Sequence, residues 1–237
     1  MSILKLHWVV KWTAVAALGG VGIVLLQAPL HGAESAVVLA PPALDYPKAA
    51  GVPQTAVLAG GCFWGVQGVF EHVRGVQKVV AGYAGGDQWT AQYETVSSGA
   101  TGHAESVMIT FDPAQISYGQ ILQVALSVVF DPTQLNRQGP DVGTQYRSAI
   151  FYADETQKRI AEAYIRQLDQ SHAFPRAIVT RVDPLKRFYP AEDYHQDFLI
   201  RHPTAPYIAT FDLPKVENLK RTFPDLYSGR PVLASAQ

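Results

Sequence analysis

Cysteine is nearly absent from this sequence of 237 residues, since Cys62 is the only one. A single cysteine cannot close a disulfide within the chain. Cys62 is therefore either an inert buried side chain or a reactive thiol without an internal partner. The seven histidines do not show the spacing of a metal site. We accordingly predict neither a disulfide scaffold nor a bound metal or cofactor.

The chain also lacks an excess of charge of either sign. Lysine and arginine together number 19, and aspartate and glutamate number 20, which gives a formal net charge of −1. The basic residues are scattered rather than gathered in a stripe, and this distribution argues against a nucleic-acid partner. Hydrophobic residues make up 48% of the chain, as is typical of a globular protein.

Long hydrophobic runs are scarce as well, and the one that stands out lies near the N-terminus. Lys5 and Lys11 precede an uncharged run from Trp12 to Leu26. A positive start followed by about 15 apolar residues is typical of an export signal. We assign residues 1–33 either to a signal peptide cut after Ala33 or to an uncleaved membrane anchor. Both alternatives place the rest of the chain outside the cytoplasm, in the periplasm or anchored to the membrane.

A proline-containing stretch separates this segment from the folded part of the chain. Residues 34–53 include Pro41, Pro42, Pro47 and Pro53, and this pattern predicts an irregular linker. The folded domain is predicted over residues 54–223, and residues 224–237 are predicted to form a tail. We expect the protein to be a monomer.

Strand and helix patterns alternate through the predicted domain. Their mixture indicates an α+β two-layer sandwich with a mixed sheet and a ferredoxin-like, split βαβ core. The predicted strands are Thr55–Ala59, Val76–Tyr83, Glu105–Phe111, Ser148–Tyr152 and Ala177–Val182. Helices are predicted directly after Cys62 and over Ile121–Val129, Asp154–Gln170 and Ala191–Arg201. The long loops Gly85–Gly102 and Asp131–Gln145 are predicted to be ordered around a site.

Cys62 lies at the turn between the first strand and the first helix. Gly60 and Gly61 precede it and allow both a tight turn and the close approach of a substrate. Phe63 and Trp64 follow it and indicate an aromatic pocket. Because unpaired amides and the helix dipole favour an anion at a helix N-terminus, we expect a lowered thiol pKa. This position favours a nucleophile over a core-filling cysteine, but by itself it does not decide between them.

Glu105 opens an alternating strand and shares one face with three large apolar side chains. A carboxyl group on a buried face has a raised pKa and can act as a general acid near neutral pH. The same alternation allows Glu105 to lie at the end of the strand and reach water. The sequence leaves both interpretations open.

The segment around Cys62 resembles the signature of the A-type peptide methionine sulfoxide reductases. Further matching motifs follow in family order, so that the resemblance covers about residues 54–223. The matching segments are Gly61-Cys62-Phe63-Trp64-Gly65, Gly82–Gly86, Tyr93–Gly99, Thr101–Glu105, Asp131–Gln134, Asn136–Ser148 and Phe188–Gln196. A set of this length and order is specific to the family.

The resemblance implies an activity: thiol-dependent reduction of methionine-S-sulfoxide, free or in proteins, to methionine. In this family, the cysteine that matches Cys62 attacks the sulfoxide sulfur. The glutamate that matches Glu105 is held protonated and delivers a proton to the sulfoxide oxygen. Methionine leaves, and the resemblance implies that Cys62 becomes a sulfenic acid.

The resemblance also implies roles for other residues of the motifs. Tyr93 and Tyr146 match tyrosines that assist at the sulfoxide oxygen. Asp141 matches a carboxylate that helps to bind and orient the substrate. Phe63 and Trp64 match the aromatic walls of the pocket for the substrate methyl group. From the residues alone, each of the polar groups could equally be an ordinary loop or turn residue.

This chain departs from the family pattern in two places. Many members carry one or two resolving cysteines near the C-terminus, and this chain has none there. We therefore expect an external thiol to reduce the sulfenic acid of Cys62, either a thioredoxin- or glutaredoxin-like protein or a small thiol. Phe130 also stands where the family more often has histidine. The expected partners are this reductant and oxidised proteins that bear methionine sulfoxide.

Two other functions are compatible with the single cysteine. An exported cysteine hydrolase would pair Cys62 with His103 or His195. A non-catalytic binding module would recognise methionine-rich or oxidised surfaces through Phe63 and Trp64. Neither alternative explains the joint placement of the cysteine and the strand carboxyl group.

Overall fold

The computed structural model describes residues 35–46 and 51–236 of the chain. The predicted signal peptide or membrane anchor, residues 1–33, lies outside the described residues, and so do residue 34 and residues 47–50 of the predicted linker. No helix in the described part of the chain is both long and apolar enough to cross a membrane.

A mixed sheet forms the centre of the fold. The strands of the described residues are β1 (Gln54–Ala59), β2 (Val76–Ala84), β3 (Ala104–Phe111), β4 (Arg137–Gln138), β5 (Asp141–Val142), β6 (Ala149–Tyr152), β7 (Arg181–Pro184) and β8 (Phe188–Pro190). The sheet order is β7-β6-β1-β3-β2-β8, and β4 and β5 form a separate hairpin. All sheet neighbours are antiparallel except β6 and β7, which run parallel. The mixed sheet is therefore confirmed.

The α-helices lie between the strands and after the last strand. They are α1 (Phe63–Glu71), α2 (Tyr93–Val96), α3 (Tyr118–Val124), α4 (Glu155–Gln170), α5 (Phe198–Arg201) and α6 (Leu213–Thr222). A π-helical turn, Ala125–Val129, continues α3, and a second one, Ile208–Asp212, leads into α6. Asp154 caps α4 by accepting hydrogen bonds from the backbone N–H groups of Thr156 and Gln157, as an aspartate at a helix N-terminus commonly does.

The topology is that of a ferredoxin-like core. The helix α1 connects β1 to β2, which run parallel with β3 between them. The helix α3 connects β3 to β6 in the same way, with β1 between them. These two split βαβ units confirm the predicted α+β class.

The hydrophobic core lies between the sheet and its helices. Leu58 of β1, Ile109 of β3 and Phe70 of α1 are fully buried in it. Complete burial of a side chain of this size contributes about 1.5–3 kcal/mol. The opposite face of the sheet carries small residues, including Ala59 and Ala149.

Both long loops are ordered, as predicted. The loop between β2 and β3 contains α2, and the loop after the π-helical turn that continues α3 contains the β4–β5 hairpin. The Gln145 side chain donates a 3.1 Å hydrogen bond to the carbonyl of Ser97. Arg147 donates to the carbonyls of Gly102 and His103 at 2.8 and 3.0 Å. These bonds fasten the two loops to each other.

The structure corrects two predicted elements. The strand predicted at Ala177–Val182 begins only at Arg181, because the backbone N–H of Val179 donates to the loop carbonyl of Pro132 instead of a strand. The helix predicted at Ala191–Arg201 is a 3-10 turn, Asp193–His195, followed by α5. Asp197 interrupts it with a left-handed backbone, φ +56°, which a continuous helix does not contain.

Segments on both sides of residues 54–223 pack onto the domain. Leu39 is buried, and the carbonyl of Ala40 accepts a 2.8 Å hydrogen bond from the Tyr164 hydroxyl. At the other end, the backbone N–H of Ser228 donates to the carbonyl of His72 at 2.7 Å. Residues outside the predicted domain of residues 54–223 are therefore packed against it at both ends.

Candidate active site

Cys62 occupies the N-cap position of α1, directly after the turn that ends β1. Gly61 has a φ of +85°, in the left-handed region that favours glycine. A Cβ atom at Gly60 would lie 2.0 Å from Phe130, and one at Gly61 would lie 2.7 Å from Gln138. The glycines therefore admit two side chains of the protein itself, which corrects the expectation that they leave room for a substrate.

The predicted site residues meet around one cavity of about 200 Å³. Cys62 is only 8% exposed, so the thiol faces this cavity rather than open solvent. The cavity is lined by Cys62, Phe63, Trp64, Tyr93, Glu105, Asp141, Tyr146 and Tyr207. Every predicted site residue is in this set, although they come from segments far apart in the chain. Tyr207 was not predicted.

The thiol is not activated in the resting structure. Burial raises the pKa of Cys62 well above its ordinary value, and the negative charges of Glu105 and Asp212 add to the rise. The backbone N–H of Trp64 acts in the opposite direction. The expected lowering of the thiol pKa is therefore wrong, because desolvation of a buried thiolate outweighs the helix N-terminus.

Glu105 is buried, which decides between the two interpretations that the sequence left open. It is 2% exposed, and its Oε2 accepts a 3.0 Å hydrogen bond from the backbone N–H of Phe63. Burial raises the pKa of Glu105 to about 8, the Phe63 N–H opposes the rise, and the charges of Asp141 and Asp212 support it. At neutral pH this carboxyl group is therefore mostly protonated and able to donate a proton.

Asp141 and Tyr207 meet at the wall of the cavity. The Tyr207 hydroxyl donates a hydrogen bond to Oδ2 of Asp141. Burial raises the pKa of Asp141, whereas the Tyr207 hydrogen bond and the charge of Lys215 oppose that rise. The ring of Tyr207 also stands edge-on to Trp64, with 6.2 Å between ring centroids. Tyr207 thus connects the β4–β5 hairpin to the aromatic side of the cavity.

The two predicted tyrosines reach the cavity from the two long loops. Tyr93 begins α2, and its backbone N–H donates a 3.0 Å hydrogen bond to Glu192 Oε1. The other oxygen of Glu192 accepts a 2.8 Å hydrogen bond from the Tyr83 hydroxyl. Burial raises the pKa of both Tyr93 and Tyr146. Both hydroxyl groups therefore keep their protons at neutral pH and can donate hydrogen bonds.

Trp64 forms an aromatic wall that other rings hold in place. Its ring stacks on Phe198 with 3.8 Å between centroids and an interplanar angle of 10°. The indole N–H donates a 3.1 Å hydrogen bond to Nδ1 of His195. Burial lowers the pKa of His195, although the nearby Glu192 opposes this. A neutral imidazole whose Nδ1 accepts the indole proton fixes the orientation of Trp64.

Among the described residues, neither histidine of the hydrolase alternative forms a hydrogen bond with Cys62. The ring nitrogens of His103 bind the loop, with the N–H of Gly86 at 3.2 Å and the carbonyl of Asp87 at 3.0 Å. Nδ1 of His195 accepts the hydrogen bond from the indole N–H of Trp64.

Among the described residues, no group of three or more His, Cys, Asp or Glu is arranged to hold a metal ion.

The structure adds residues that the sequence patterns missed. Tyr207, Asp212 and Lys215 come from the region around the second π-helical turn. Glu192 lies in one of the matching segments, but the sequence pattern does not show which residues its side chain contacts. Only the contacts across the fold show their roles, because each is more than 80 residues from Cys62 along the chain.

Known proteins are similar to this chain over most of its length. A family model described as peptide methionine sulfoxide reductase matches residues 54–226. A protein named peptide methionine sulfoxide reductase MsrA 2 from Mesorhizobium japonicum is 62% identical over 186 residues, which are 78% of this chain and 95% of that protein. Its namesake from Synechocystis sp. is 55% identical over 172 residues, covering 73% of this chain and 80% of that protein.

Solved structures share the fold. Methionine sulfoxide reductase A of Corynebacterium diphtheriae aligns with a TM-score of 0.56 and 32% identity, over 74% of this chain and 89% of that one. The reduced form of Mxr1 from Saccharomyces cerevisiae aligns with a TM-score of 0.58 and 28% identity, over 69% of this chain and 92% of that one.

Proposed function

Because the chain belongs to the peptide methionine sulfoxide reductase family, we propose that Cys62 carries out the reaction in a cycle that needs no second cysteine of this chain. The protein is an oxidoreductase that reduces methionine sulfoxide to methionine. One observation carries the proposal: the only sulfur nucleophile of the chain shares a small cavity with a protonated carboxyl group and an aromatic wall.

In this proposal the cavity binds the sulfoxide through three different contacts. The methyl group packs against Trp64, with Phe63 beneath it. The oxygen faces Glu105 and the hydroxyl groups of Tyr93 and Tyr146, which donate hydrogen bonds to it. The lone pair and sulfur face Cys62. Contacts of three kinds distinguish the two epimers at sulfur, and we assign the S epimer as the substrate.

The chemical step balances without a net change of protons. The Cys62 sulfur bonds to the sulfoxide sulfur while Glu105 gives its proton to the sulfoxide oxygen. The proton of the thiol passes to the carboxylate that Glu105 becomes. The protonated oxygen then moves from the methionine sulfur to the Cys62 sulfur: its bond to the methionine sulfur breaks, a bond to the Cys62 sulfur forms, and the bond between the two sulfurs breaks. Methionine leaves as a thioether, and Cys62 carries the oxygen as a sulfenic acid. A thiol that rests in its protonated form is consistent with this balance.

An external thiol completes the cycle. A first thiol condenses with the sulfenic acid, releasing water and leaving a mixed disulfide on Cys62. A second thiol attacks that disulfide and restores Cys62 as a thiol. A thioredoxin- or glutaredoxin-like protein supplies both thiols from one dithiol, and a small thiol supplies them from two molecules. The single cysteine of the 237 residues supports this route.

We place the activity outside the cytoplasm, on oxidised proteins. The lysines and apolar run of residues 1–33 support export, with cleavage after Ala33 or retention as an anchor. Sequencing the N-terminus of the protein recovered from cells distinguishes these alternatives. An intact Met1 would rule out cleavage, and recovery in the cytoplasmic fraction would contradict export.

The proposed function is tested with the separated S and R epimers of a methionine sulfoxide peptide. Dithiothreitol serves as the donor, and Cys62→Ser is compared with the unchanged enzyme. We expect turnover of the S epimer alone, abolished in Cys62→Ser. Turnover that survives in the variant would refute the role of Cys62. Binding without turnover would favour the binding module, and Cys62-dependent burst hydrolysis of an activated ester would favour the hydrolase.

A further inference from the structure

The Glu192 carboxylate joins two parts of the fold that meet near the cavity. Glu192 lies two residues after β8, the strand that pairs with the end of β2. Its Oε1 accepts a 3.0 Å hydrogen bond from the backbone N–H of Tyr93, and its Oε2 accepts a 2.8 Å hydrogen bond from the Tyr83 hydroxyl. These partners are 99 and 109 residues away along the chain. Glu192 itself is not among the residues that line the cavity, so any effect on the reaction passes through its neighbours.

The bond to Tyr93 gives α2 an anchor that its own loop does not supply. The helix is a single turn of four residues, Tyr93–Val96, and the side chain of Gln92 before it forms no capping hydrogen bond. A helix this short is marginal by itself, and the N–H groups of its first turn need acceptors. Glu192 provides one at the first helical residue. The backbone from which the Tyr93 side chain reaches the cavity is therefore held by Glu192.

The bond to Tyr83 ties the same carboxylate to the strands that carry the acid. Tyr83 of β2 lies directly opposite Glu105 of β3 in the antiparallel register. Side chains directly opposite each other share one face of the sheet and lie close together. Tyr83 is fully buried, and its ring centroid is 5.8 Å from that of Phe63. Its hydroxyl is thus a fixed point beside Glu105, and Glu192 connects that point to Tyr93.

The segment of Glu192 contacts Tyr93 a second time through His195. The backbone N–H of His195 donates a 2.9 Å hydrogen bond to the carbonyl of Glu192, which places both residues in one turn. The His195 ring packs against the Tyr93 ring with 4.4 Å between centroids. This turn therefore holds the backbone of Tyr93 through a hydrogen bond and its ring through packing.

We propose that Glu192 is a positioning residue for Tyr93: its carboxylate holds the Tyr93 hydroxyl at the sulfoxide oxygen that Glu105 protonates. Two donors must reach one oxygen atom, and a misplacement of about 1 Å can cost about 100-fold in rate. Glu105 is held by a strand, whereas Tyr93 stands on a one-turn helix in a long loop and needs support from outside it. The inference rests on the proposed function, because it concerns the same cavity and the same substrate oxygen.

A double-mutant cycle tests the inference, with initial rates measured on an S-sulfoxide peptide and dithiothreitol. Glu192→Ala removes both acceptors and should lower kcat/KM about tenfold. Tyr93→Phe removes the hydroxyl that Glu192 positions. If Glu192 acts through that hydroxyl, adding Glu192→Ala to Tyr93→Phe should cost less than about twofold. A general effect on the fold would cost about the same factor in both backgrounds.

Two further variants serve as matched comparisons. In Glu192→Gln the amide oxygen can accept from the Tyr93 N–H and the amide nitrogen can donate to the Tyr83 oxygen. This variant should therefore recover most of the activity that Glu192→Ala loses. Glu94 follows Tyr93 in α2 and is exposed, so Glu94→Ala should leave kcat/KM unchanged.

Circular dichroism reports whether each variant folds. If Glu192→Ala does not fold, Tyr83→Phe removes one of the two bonds and should lower kcat/KM in the same way, with little further loss in the Tyr93→Phe background. Equal losses in both backgrounds would overturn the inference, and so would full activity in the folded variant or a Glu192→Gln protein as slow as Glu192→Ala. An equal loss in Glu94→Ala would overturn it too. These results leave the proposed function standing, whereas no turnover by the unchanged enzyme would overturn both.

Discussion

The backbone N–H of Phe63 donates a 3.0 Å hydrogen bond to Oε2 of Glu105. This bond joins the proposed acid to the residue directly after the proposed nucleophile. With Oε2 occupied as an acceptor, Oε1 is the oxygen left to carry the proton. The bond therefore holds the carboxyl group beside the first residue of α1 and leaves Oε1 to serve the substrate. The first two predictions follow from this arrangement.

Glu105→Gln should lower kcat/KM by about 100-fold or more, because the amide keeps the Phe63 hydrogen bond but cannot deliver a proton. Initial rates with an S-sulfoxide peptide and dithiothreitol measure this. Glu71→Gln is the matched control, since Glu71 is also buried but lies at the other end of α1. Its rate at neutral pH should be unchanged. If both variants lost kcat/KM equally, the loss would be a general effect of replacing a buried glutamate and not evidence for an acid at Glu105.

The activity should depend on pH through the same group. Burial raises the pKa of Glu105 to about 8, so the acid is present below that pH and is lost as the pH rises through it. We expect kcat/KM to decline above pH 8 or so in the unchanged enzyme. The low residual activity of Glu105→Gln should lack this decline. The same decline in the variant would assign it to another group.

Tyr207→Phe removes the hydroxyl group that donates a hydrogen bond to Asp141. We expect KM to rise about threefold to tenfold, because the loss of one hydrogen bond leaves Asp141 less firmly held. We expect kcat to stay unchanged, because Tyr207 has no part in the proposed chemical step. Tyr46→Phe is the control, since Tyr46 donates to Asp154 at 3.1 Å and is not among the residues that line the cavity. An unchanged KM in Tyr207→Phe, or an equal rise in the control, would contradict this role.

Glu71 makes stability depend on pH. Burial, together with the neighbouring Asp197, raises the pKa of Glu71 to about 9 in the folded protein. The folded state therefore holds a proton that the unfolded state releases from about pH 4.5 upward. The contribution of Glu71 to the free energy of unfolding is therefore fully present below about pH 4.5. It falls by about 1.4 kcal/mol per pH unit as the pH rises towards 9.

Glu71→Gln should therefore be more stable than the unchanged protein near pH 8, and the difference should shrink towards pH 5. Thermal unfolding at several pH values measures this. Glu217→Gln, the same substitution at an exposed site of α6, should not change the pH dependence. A Glu71→Gln protein whose stability parallels that of the unchanged protein at every pH would contradict the assignment.

The sequence was most informative where chemistry is local. The motif around Cys62 predicted its place at the turn between strand and helix, because strand and helix periodicity determine which face a residue occupies. The alternation put Glu105 on an apolar face but left open whether it reaches water, and its proposed role came from the family resemblance. The helix at Ala191–Arg201 failed because Asp197 adopts a left-handed conformation and accepts hydrogen bonds from the backbone of Ala234 and Ser235. A local sequence pattern cannot show that Asp197 has a hydrogen-bond partner, Ala234, 37 residues further along the chain.

The charge state of the thiol was equally beyond reach of the sequence. A helix N-terminus alone predicts a lowered pKa, but the thiol pKa depends on burial and on Glu105 and Asp212, which the fold brings together. Tyr207 was missed for the same reason, since its hydrogen bond to Asp141 spans 66 residues of the chain. Long-range contacts decide the electrostatics of the cavity, whereas local patterns decide its location.

A single turnover without any reductant tests the central claim most directly. The protein is mixed with excess S-sulfoxide peptide, and methionine peptide and the mass of the Cys62 fragment are measured together. We predict about one methionine per chain and a gain of about 16 Da on Cys62 from one oxygen atom. In a parallel sample with dimedone, Cys62 should carry the dimedone adduct of the sulfenic acid instead. Methionine formed without modification of Cys62, or no methionine from a folded protein until thiol is added, would contradict the account.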